Sequence, residues 1–416
     1  MRDDFVVGAA IELPGTIRTE GAATTLARAQ RVMRSLGITR VANVTGLDHV
    51  GIPTWVAVRP LARSLTVSQG KGLTDDLARA SAVMECIELH HAEHFVPRGE
   101  WRSLRAAMQD ERFADPLLFH VHPTTRIDVS CPVEWVPGHD LIANTSRWVP
   151  RDCIDIDTVT VPDHHRMFIA TSNGLASGNS AAEARLHALC EVIERDQQSF
   201  WYACKRLAPD PPRSRLRLES VTDAHCRWLL GKCAAAGLEV VVWCATQELG
   251  LPTFVCTLFD RHRKTSYPHR ATGSGCHPYR RIALARAITE ALQSRLTHIV
   301  GGRDDILWSS YRDRLRVDDE QGHAWGEALV TEPEGISFDA VPEAPPMNTI
   351  GELVDWVLAE LSANGFAQAI AVDLTQDSVA IPVVHVSVPG LEGEISRHVY
   401  TPGPRMQKAL AGWIAA

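Results

Sequence analysis

Most of the signatures that settle a function at sight are missing from this 416-residue chain. No run of about 18 apolar residues occurs, which excludes a hydrophobic membrane-spanning helix. The N-terminus MRDDFVVGAA carries acids early and lacks the apolar block of a secretory signal. Positive charge is in deficit, 42 Lys and Arg against 50 Asp and Glu, for a net charge of −8. That balance argues against broad nucleic-acid binding and against docking on anionic membranes. None of the ten cysteines forms a C-x-x-C pair or a zinc-finger spacing. Most sit in apolar surroundings, such as Cys190 in HALCEVI and Cys256 in TFVCTLF. They read as reduced, buried thiols of a cytoplasmic protein. No G-x-G-x-x-G follows a strand, and neither a P-loop nor a G-x-S-x-G occurs. SQGKGL has a Gly-Lys but lacks the upstream Gly and the following Ser or Thr. His90, His91 and His94 in HHAEH are in the wrong order for H-E-x-x-H, so they read as a histidine cluster rather than a zinc site.

What is present is an ordinary soluble composition, 45% hydrophobic and 22% charged, rich enough in apolar residues for a real core. Residues 1–36 read as a lead-in strand and a polar helix. Three β-branched runs between 38 and 68 read as strands. Helices are expected at about 75–95, 181–204, 279–300 and 350–363, with a short one in the tail MQKALAGWIAA. LEVVVWCAT, LPTFVCTLFD, AQAIAVDLT and IPVVHVSVPG read as strands, and MFIATSNG as a strand entering a glycine turn. Residues 97–150 look irregular, a mixture of loop and strand, and the acidic, Pro-rich stretch 301–350 reads as a loop excursion. Strands and helices alternate without a strict βαβ period, which gives an α+β (mixed α/β) fold class.

Three of the helices share one pattern. ARASAVMECIE (78–88), ARLHALCEVIE (184–194) and ALARAITEALQ (283–293) all read A-x3-A-x2-E-x2-E/Q. Each follows a glycine turn: QGKG, SGN and GSGC. The polar pairs are Glu85/Glu88, Glu191/Glu194 and Glu290/Gln293. Residues three apart share a helix face. The alanines seven and three residues earlier leave room there for another backbone. Val83, Ile87, Leu189 and Ile193 turn the adjoining face to the core. Carboxylates so placed are partly desolvated and repel one another, so they call for cations. Hard cations with oxygen ligands fit, Mg²⁺ in company with phosphates above all. Ser180 and Glu183 fit a capping box, and Asn179 can offer an amide from the turn before it. The helix N-terminus there suits phosphate. Arg195, Arg286 and Arg295 lie near the glutamates, where a guanidinium can bind phosphate.

These motifs resemble the YcaO family. The matching stretches are VTGLDHVGIPTWVAVRP, SQGKG, SAVMECIE, SNGLASGNSAAEARLHALCEVIERD, RAITEALQSR and IPVVHVSVPGLE. The resemblance implies a YcaO-like fold in one large composite domain, with the three glycine-turn/helix units around an ATP site. The family domain is expected over 61–416, with 1–60 an N-terminal strand and helix segment packed on it. It also implies ATP-dependent phosphorylation of a peptide amide oxygen, with a nucleophile adding to the carbonyl and phosphate leaving. Residue by residue, Glu85, Glu88, Glu191 and Glu194 match the family's magnesium and ATP glutamates, and Glu183 stands with them as a further metal candidate. Asn179, Glu183 and Arg195 match nucleotide positions, and Ser81 opens the first motif. Arg286, Glu290 and Gln293 match the third motif, and Lys71 and Arg18 are candidates for the phosphates. Glu191, Glu194, Arg195 and Glu290 are the expected catalytic set.

GITRVANVTGLDHVGIP and SNGLASGN are most similar to the subgroup paired with a TfuA protein. That implies thioamide formation on a peptide or protein, with a TfuA-like partner and an external sulfur donor, and leaves room for a homodimer. The tail GPRMQKALAGWIAA departs from the P-x-P-x-P ending common in azoline-forming members. An azoline-forming cyclodehydratase and a non-catalytic ATP-binding scaffold are the alternative expectations.

Overall fold

The computed structural model describes residues 9–96, 98–121, 125–160, 166–260, 270–308, 311, 329–333, 335–393 and 400–415. Its organising device occurs three times. An edge strand ends in a tight turn, and the chain re-emerges as a long helix lying across that strand. In the first unit, Arg40–Asn43, Thr54–Val58 and Val67–Lys71 form an antiparallel sheet, and helix Asp75–Glu93 follows. In the third, Leu238–Cys244, Thr253–Asp260 and Arg270–Cys276 do the same before helix Arg280–Val300. In the second, Leu175–Ser177 is the edge of a larger sheet and leads into helix Ala181–Leu207. That sheet also contains Glu100–Ser103, Pro132–Asp140, Ile370–Asp373, Val383–Ser387 and, beside Pro132–Asp140, Thr145–Pro150. Residue 60, the expected end of the N-terminal segment, lies inside the first unit's sheet, between two paired strands.

The glycines and alanines of the repeat meet. A Cβ on Gly70 would overlap the Ala78 carbonyl and the Ala82 amide. One on Gly275 would overlap the Ala283 carbonyl and the Ala287 amide, and Gly178 faces the Ala184 amide in the same way. The edge strand thus lies directly on helix backbone, and small residues are needed on both sides of the contact. This explains why Arg270–Cys276 (RATGSGC) does not read as a strand from its sequence. Its glycines lower strand propensity while making the packing possible. Val83, Ile87, Leu189 and Ile193 are fully buried, as the helical period requires. Thr74 and Ser180 cap their helices by accepting from the amides of Leu77 and Glu183.

Some expectations shift. The strand expected at 167–174 falls at Leu175–Ser177, because Gly174 takes a positive φ of 86° and turns the chain first. The mixture of loop and strand expected at 97–150 holds three strands among its described residues, whereas helix Ala224–Ala235 does not stand out in the sequence. Within the acidic stretch 301–350, residues 309–310, 312–328 and 334 lie outside the described residues. The tail is helical over Pro404–Ala415, and Arg405 there bonds Asp196 of the second motif helix at 2.7 Å.

Gly70→Ala is expected to destabilise the protein by about 1–3 kcal/mol, through overpacking against backbone that cannot yield. Gly231→Ala, in a helix with no atom near the added methyl, is expected to stabilise by up to about 1 kcal/mol. Thermal melts of the two variants beside the parent check the contrast, and equal effects would contradict it.

Candidate active site

The three motif helices converge on one cavity of about 630 Å³. Apart from Arg295, every residue expected at the site from the sequence lines it, from Arg18 and Lys71 to Gln293. Its floor is a ring of carboxylates bound in two ways. The first glutamate of each motif accepts from its own unit's strand or the turn before it. Glu85 takes the Gln69 amide at 3.1 Å, Glu191 the Gly174 amide at 3.2 Å, and Glu290 the Ser274 amide at 3.3 Å.

The second polar residue reaches the strand of the next unit. Glu88 accepts from the Ser177 amide at 2.8 Å and its hydroxyl at 2.7 Å. Glu194 accepts from the Cys276 amide at 2.9 Å and the Ser274 hydroxyl at 2.7 Å. The Gln293 amide donates to the Gln69 carbonyl of the first unit and closes the circle. A carboxylate could not make this last bond, since it has no hydrogen to donate. That is a physical reason for glutamine where the other two motifs have glutamate.

Burial sets the charge state. It pushes Glu85 and Glu191 up to about 7 and Glu88 up to about 8. Main-chain amides, Ser177 and Arg195 oppose that rise without cancelling it. Glu290 goes the other way. Burial would raise it, but Lys71 at 2.7 Å and Arg195 outweigh this and hold it at about 2. Arg195 lies 3.9 Å from both Glu191 and Glu194, and the surrounding carboxylates keep its guanidinium charged against burial.

Glu85, Glu88 and Glu191 each commit one oxygen to a main-chain donor. The other oxygen is left toward the cavity, a donor set that suits a hard cation. No group of three or more His, Cys, Asp or Glu among the described residues is gathered closely enough to bind a metal alone. An ion here would need oxygens from a bound ligand as well, which is how Mg²⁺ is usually held with phosphates.

Glu183 and Glu194 differ from the other three glutamates proposed as metal ligands: both are buried, and Glu194 has one oxygen on the Ser274 hydroxyl and the other on the Cys276 amide. For Glu183 the partners come from the N-terminal segment and from Asn179. Its oxygens accept from the Thr19 amide and hydroxyl at 3.0 and 2.9 Å, and from Asn179 at 3.2 Å, with Arg18 at 3.4 Å. It ties the N-terminal hairpin Ile11–Leu13/Thr16–Arg18 to the second motif helix. Asn179 is likewise engaged, accepting from Thr25 at 2.8 Å. Arg295 points away from the cavity and pairs with Asp48 at 2.9 Å. The histidine cluster turns inward too: His91 and His94 bond the Ile87 and His90 carbonyls, and His90 meets Arg59.

Sequence reasoning missed Ser177 and Ser274, which sit on glutamates, and also Arg303 and His187 in the cavity wall. The repeat could have found His187, which stands four residues before Glu191 as Ser81 does before Glu85.

Fold and site together define a class: an enzyme-like α+β domain with a pseudo-threefold carboxylate cavity fitted to a cation and an anionic ligand. The family model of the YcaO cyclodehydratases, ATP- and Mg²⁺-binding, matches residues 69–392. A protein of the tfuA 3′ region of Rhizobium leguminosarum bv. trifolii is 33% identical over 402 residues, covering 94% of this chain and 92% of its own. A Methanothermobacter thermautotrophicus protein is 33% identical, covering 86% and 90%. Among solved structures, YcaO from Methanopyrus kandleri bound with AMPPCP and Mg²⁺ superposes with a TM-score of 0.73 at 21% identity, over 95% of this chain and 99% of that one. A heterocyclase in complex with substrate and cofactor gives 0.78 at 22% identity, and the chain spans 57% of it. This chain belongs to the YcaO family, and its cofactors are ATP and Mg²⁺. No helix among the described residues is long and apolar enough to cross a membrane.

The raised carboxylates give a signed pH dependence. A carboxylate whose pKa rises on folding stabilises the fold while protonated, and that contribution is lost as pH rises through the folded value. The melting temperature of the metal-free protein should therefore fall between pH 6.5 and 8, where Glu85, Glu88 and Glu191 titrate. Saturating Mg²⁺ and nucleotide should flatten the slope by favouring the ionised forms. A metal-free melting temperature that is level or rising over that window would show the glutamates already ionised.

Proposed function

We propose that this protein is an ATP-dependent peptide-amide activating enzyme that forms thioamides on a peptide or protein, working with a TfuA-type partner and an external sulfur donor. One observation carries the activation step. Three half-buried carboxylates with an oxygen to spare stand beside two cations, Lys71 and Arg195, in a cavity large enough for a nucleotide. A peptide amide is a poor electrophile with a poor oxygen leaving group. ATP with Mg²⁺ supplies the phosphoryl group that turns that oxygen into phosphate and offsets the charge that develops.

The chain's own residues fix where this happens. Glu85, Glu88 and Glu191 would hold the cation through their spare oxygens, and Glu194, fixed by Ser274 and Cys276, stands with Glu191 beside Arg195. Glu290 stays ionised and holds the Lys71 ammonium over the cavity. Arg195 is the charged group best placed to meet phosphate oxygens above the second motif helix. Asn179 and Glu183 act on the nucleotide side through the Arg18 hairpin they anchor. The thioamide outcome is supported by full-length likeness to a protein of the tfuA 3′ region. The family description alone, a cyclodehydratase, supports equally an azoline product.

Glu191→Gln is expected to lower peptide-stimulated phosphate release at least about a hundred-fold, with the melting temperature largely kept. Turnover like the parent's would sink the site assignment. Mass spectrometry of peptide treated with enzyme, partner, ATP and sulfide decides the chemistry. A thioamide is heavier by the difference between sulfur and oxygen, whereas an azoline is lighter by one water.

A further inference from the structure

A second, smaller cavity of about 80 Å³ lies behind the turn that carries Gly174. The chain from Thr171 to Leu175 is the wall between the two. Thr171 and Asn173 line the small cavity, whereas Ser172 and Leu175 line the carboxylate cavity. The second motif helix divides in the same way, with Glu191 in one wall and Val192 in the other. The turn is fixed from both sides. The Gly174 amide donates to Glu191 at 3.2 Å, and its carbonyl accepts from the Val386 amide at 2.8 Å. One layer of main chain, about 5 Å thick, thus separates the small cavity from the carboxylates. Extended peptide crosses such a distance in about two residues.

The small cavity is mostly apolar, yet it has a polar centre with nothing to bind. His385, on strand Val383–Ser387, lines it and is only 3% exposed. Neither ring nitrogen has a hydrogen-bond partner among the described residues. Burial lowers the ring to about 4 and keeps it neutral at ordinary pH. The Thr171 main chain favours a proton on it, but neither nitrogen reaches hydrogen-bond geometry there. The Asn173 side-chain oxygen in the same wall is also buried and unpartnered. Glu392, by contrast, is engaged, accepting from the Tyr400 hydroxyl at 2.6 Å and the Gly403 amide at 3.0 Å. A polar group buried without a partner is costly, and leucine would remove the cost. A histidine standing here marks a place where a ligand supplies the missing bonds.

We propose that this cavity is a side-chain subsite for the acceptor peptide, receiving the uncharged polar side chain of a residue beside the amide being activated. The open atoms select that class. A neutral imidazole offers one donor and one acceptor, and Asn173 adds an acceptor. A hydroxyl or carboxamide side chain both donates and accepts, so it can bond to both residues. An aliphatic side chain leaves all three atoms unpaired, and a charged one meets no open counter-charge among the described residues. Size agrees. At roughly 30 Å³ for each water in the liquid, a cavity of about 80 Å³ holds one short side chain and excludes a nucleotide. Position agrees as well, since a peptide whose amide lies over Glu191 brings a nearby residue to the far side of the Asn173 turn. The proposal rests on reading the protein as a peptide-amide activating enzyme, and it adds which residues choose the peptide.

The test uses the full chain loaded with Mg²⁺ and a non-hydrolysable ATP analogue, its histidine rings labelled with ¹⁵N for magnetic resonance. The probes are glycine pentapeptides, capped at both ends, with asparagine, serine, leucine or lysine at the centre. The asparagine and serine peptides should shift the His385 ring signals, identified by their loss in His385→Leu. They should also bind at least about tenfold more tightly than the leucine peptide. His385→Leu should lose that preference while keeping the parent's melting temperature and its affinity for the analogue, and Asn173→Ala should lose part of it. No shift with any peptide would overturn the proposal by leaving the cavity to water. A preference unchanged in His385→Leu would overturn it by placing the side chain elsewhere, and tightest binding of the lysine peptide would overturn the uncharged class. Amide activation itself would fail on a different result, an absence of phosphate release from ATP with every peptide of a random library, whatever the His385 signals show.

Discussion

The bond on which the rest depends joins one unit's helix to the next unit's strand. Glu88 holds Ser177, Glu194 holds Cys276, and Gln293 holds Gln69. Each is made by a residue one helical step beyond a cavity glutamate. The chain can close this circle only if the three helices point their polar stripes at a common centre. The cavity is therefore a product of the assembly and not a cleft between separate domains. Small residues are the other half of the constraint. Ala78/Ala82 under Gly70 and Ala283/Ala287 under Gly275 bring strand and helix close enough for a short glutamate side chain to reach a main-chain amide.

Burial of so many acids is costly, and the site shows how the cost is divided. Main-chain amides satisfy one oxygen of each acid, and Lys71 and Arg195 offset part of the charge. The remainder appears as raised proton affinity at Glu85, Glu88 and Glu191. A site whose burial makes its acids hold protons is also one that will exchange them for a divalent ion. Stability and cofactor binding are thus linked through the same carboxylates.

The helices were legible because their period is strong and their apolar faces are fully buried, as Val83, Ile87, Leu189 and Ile193 show. The site glutamates were legible because a spacing used three times betrays a shared environment. Arg270–Cys276 was not, because the glycines that let it lie on helix backbone erase the alternation that marks a strand. Glu183 was read as a metal candidate because a carboxylate in a helix's first turn looks the same whether it faces an ion or a hairpin. Its partners Thr19 and Arg18 lie more than 160 residues away in the chain. Arg295, five residues beyond Glu290 and so off its helix face, turns to Asp48 instead of the site.

By itself the sequence determined the three repeated helices, the acidic surplus and its concentration in paired positions, because local spacing fixes which residues share a face. The tertiary structure alone decided which glutamate binds its own strand and which binds the next, why the third motif ends in glutamine, and that Glu183 and Glu194 have both oxygens taken up within the fold. Those properties depend on contacts between units far apart in the chain, and residue spacing within a helix carries no record of what lies opposite it.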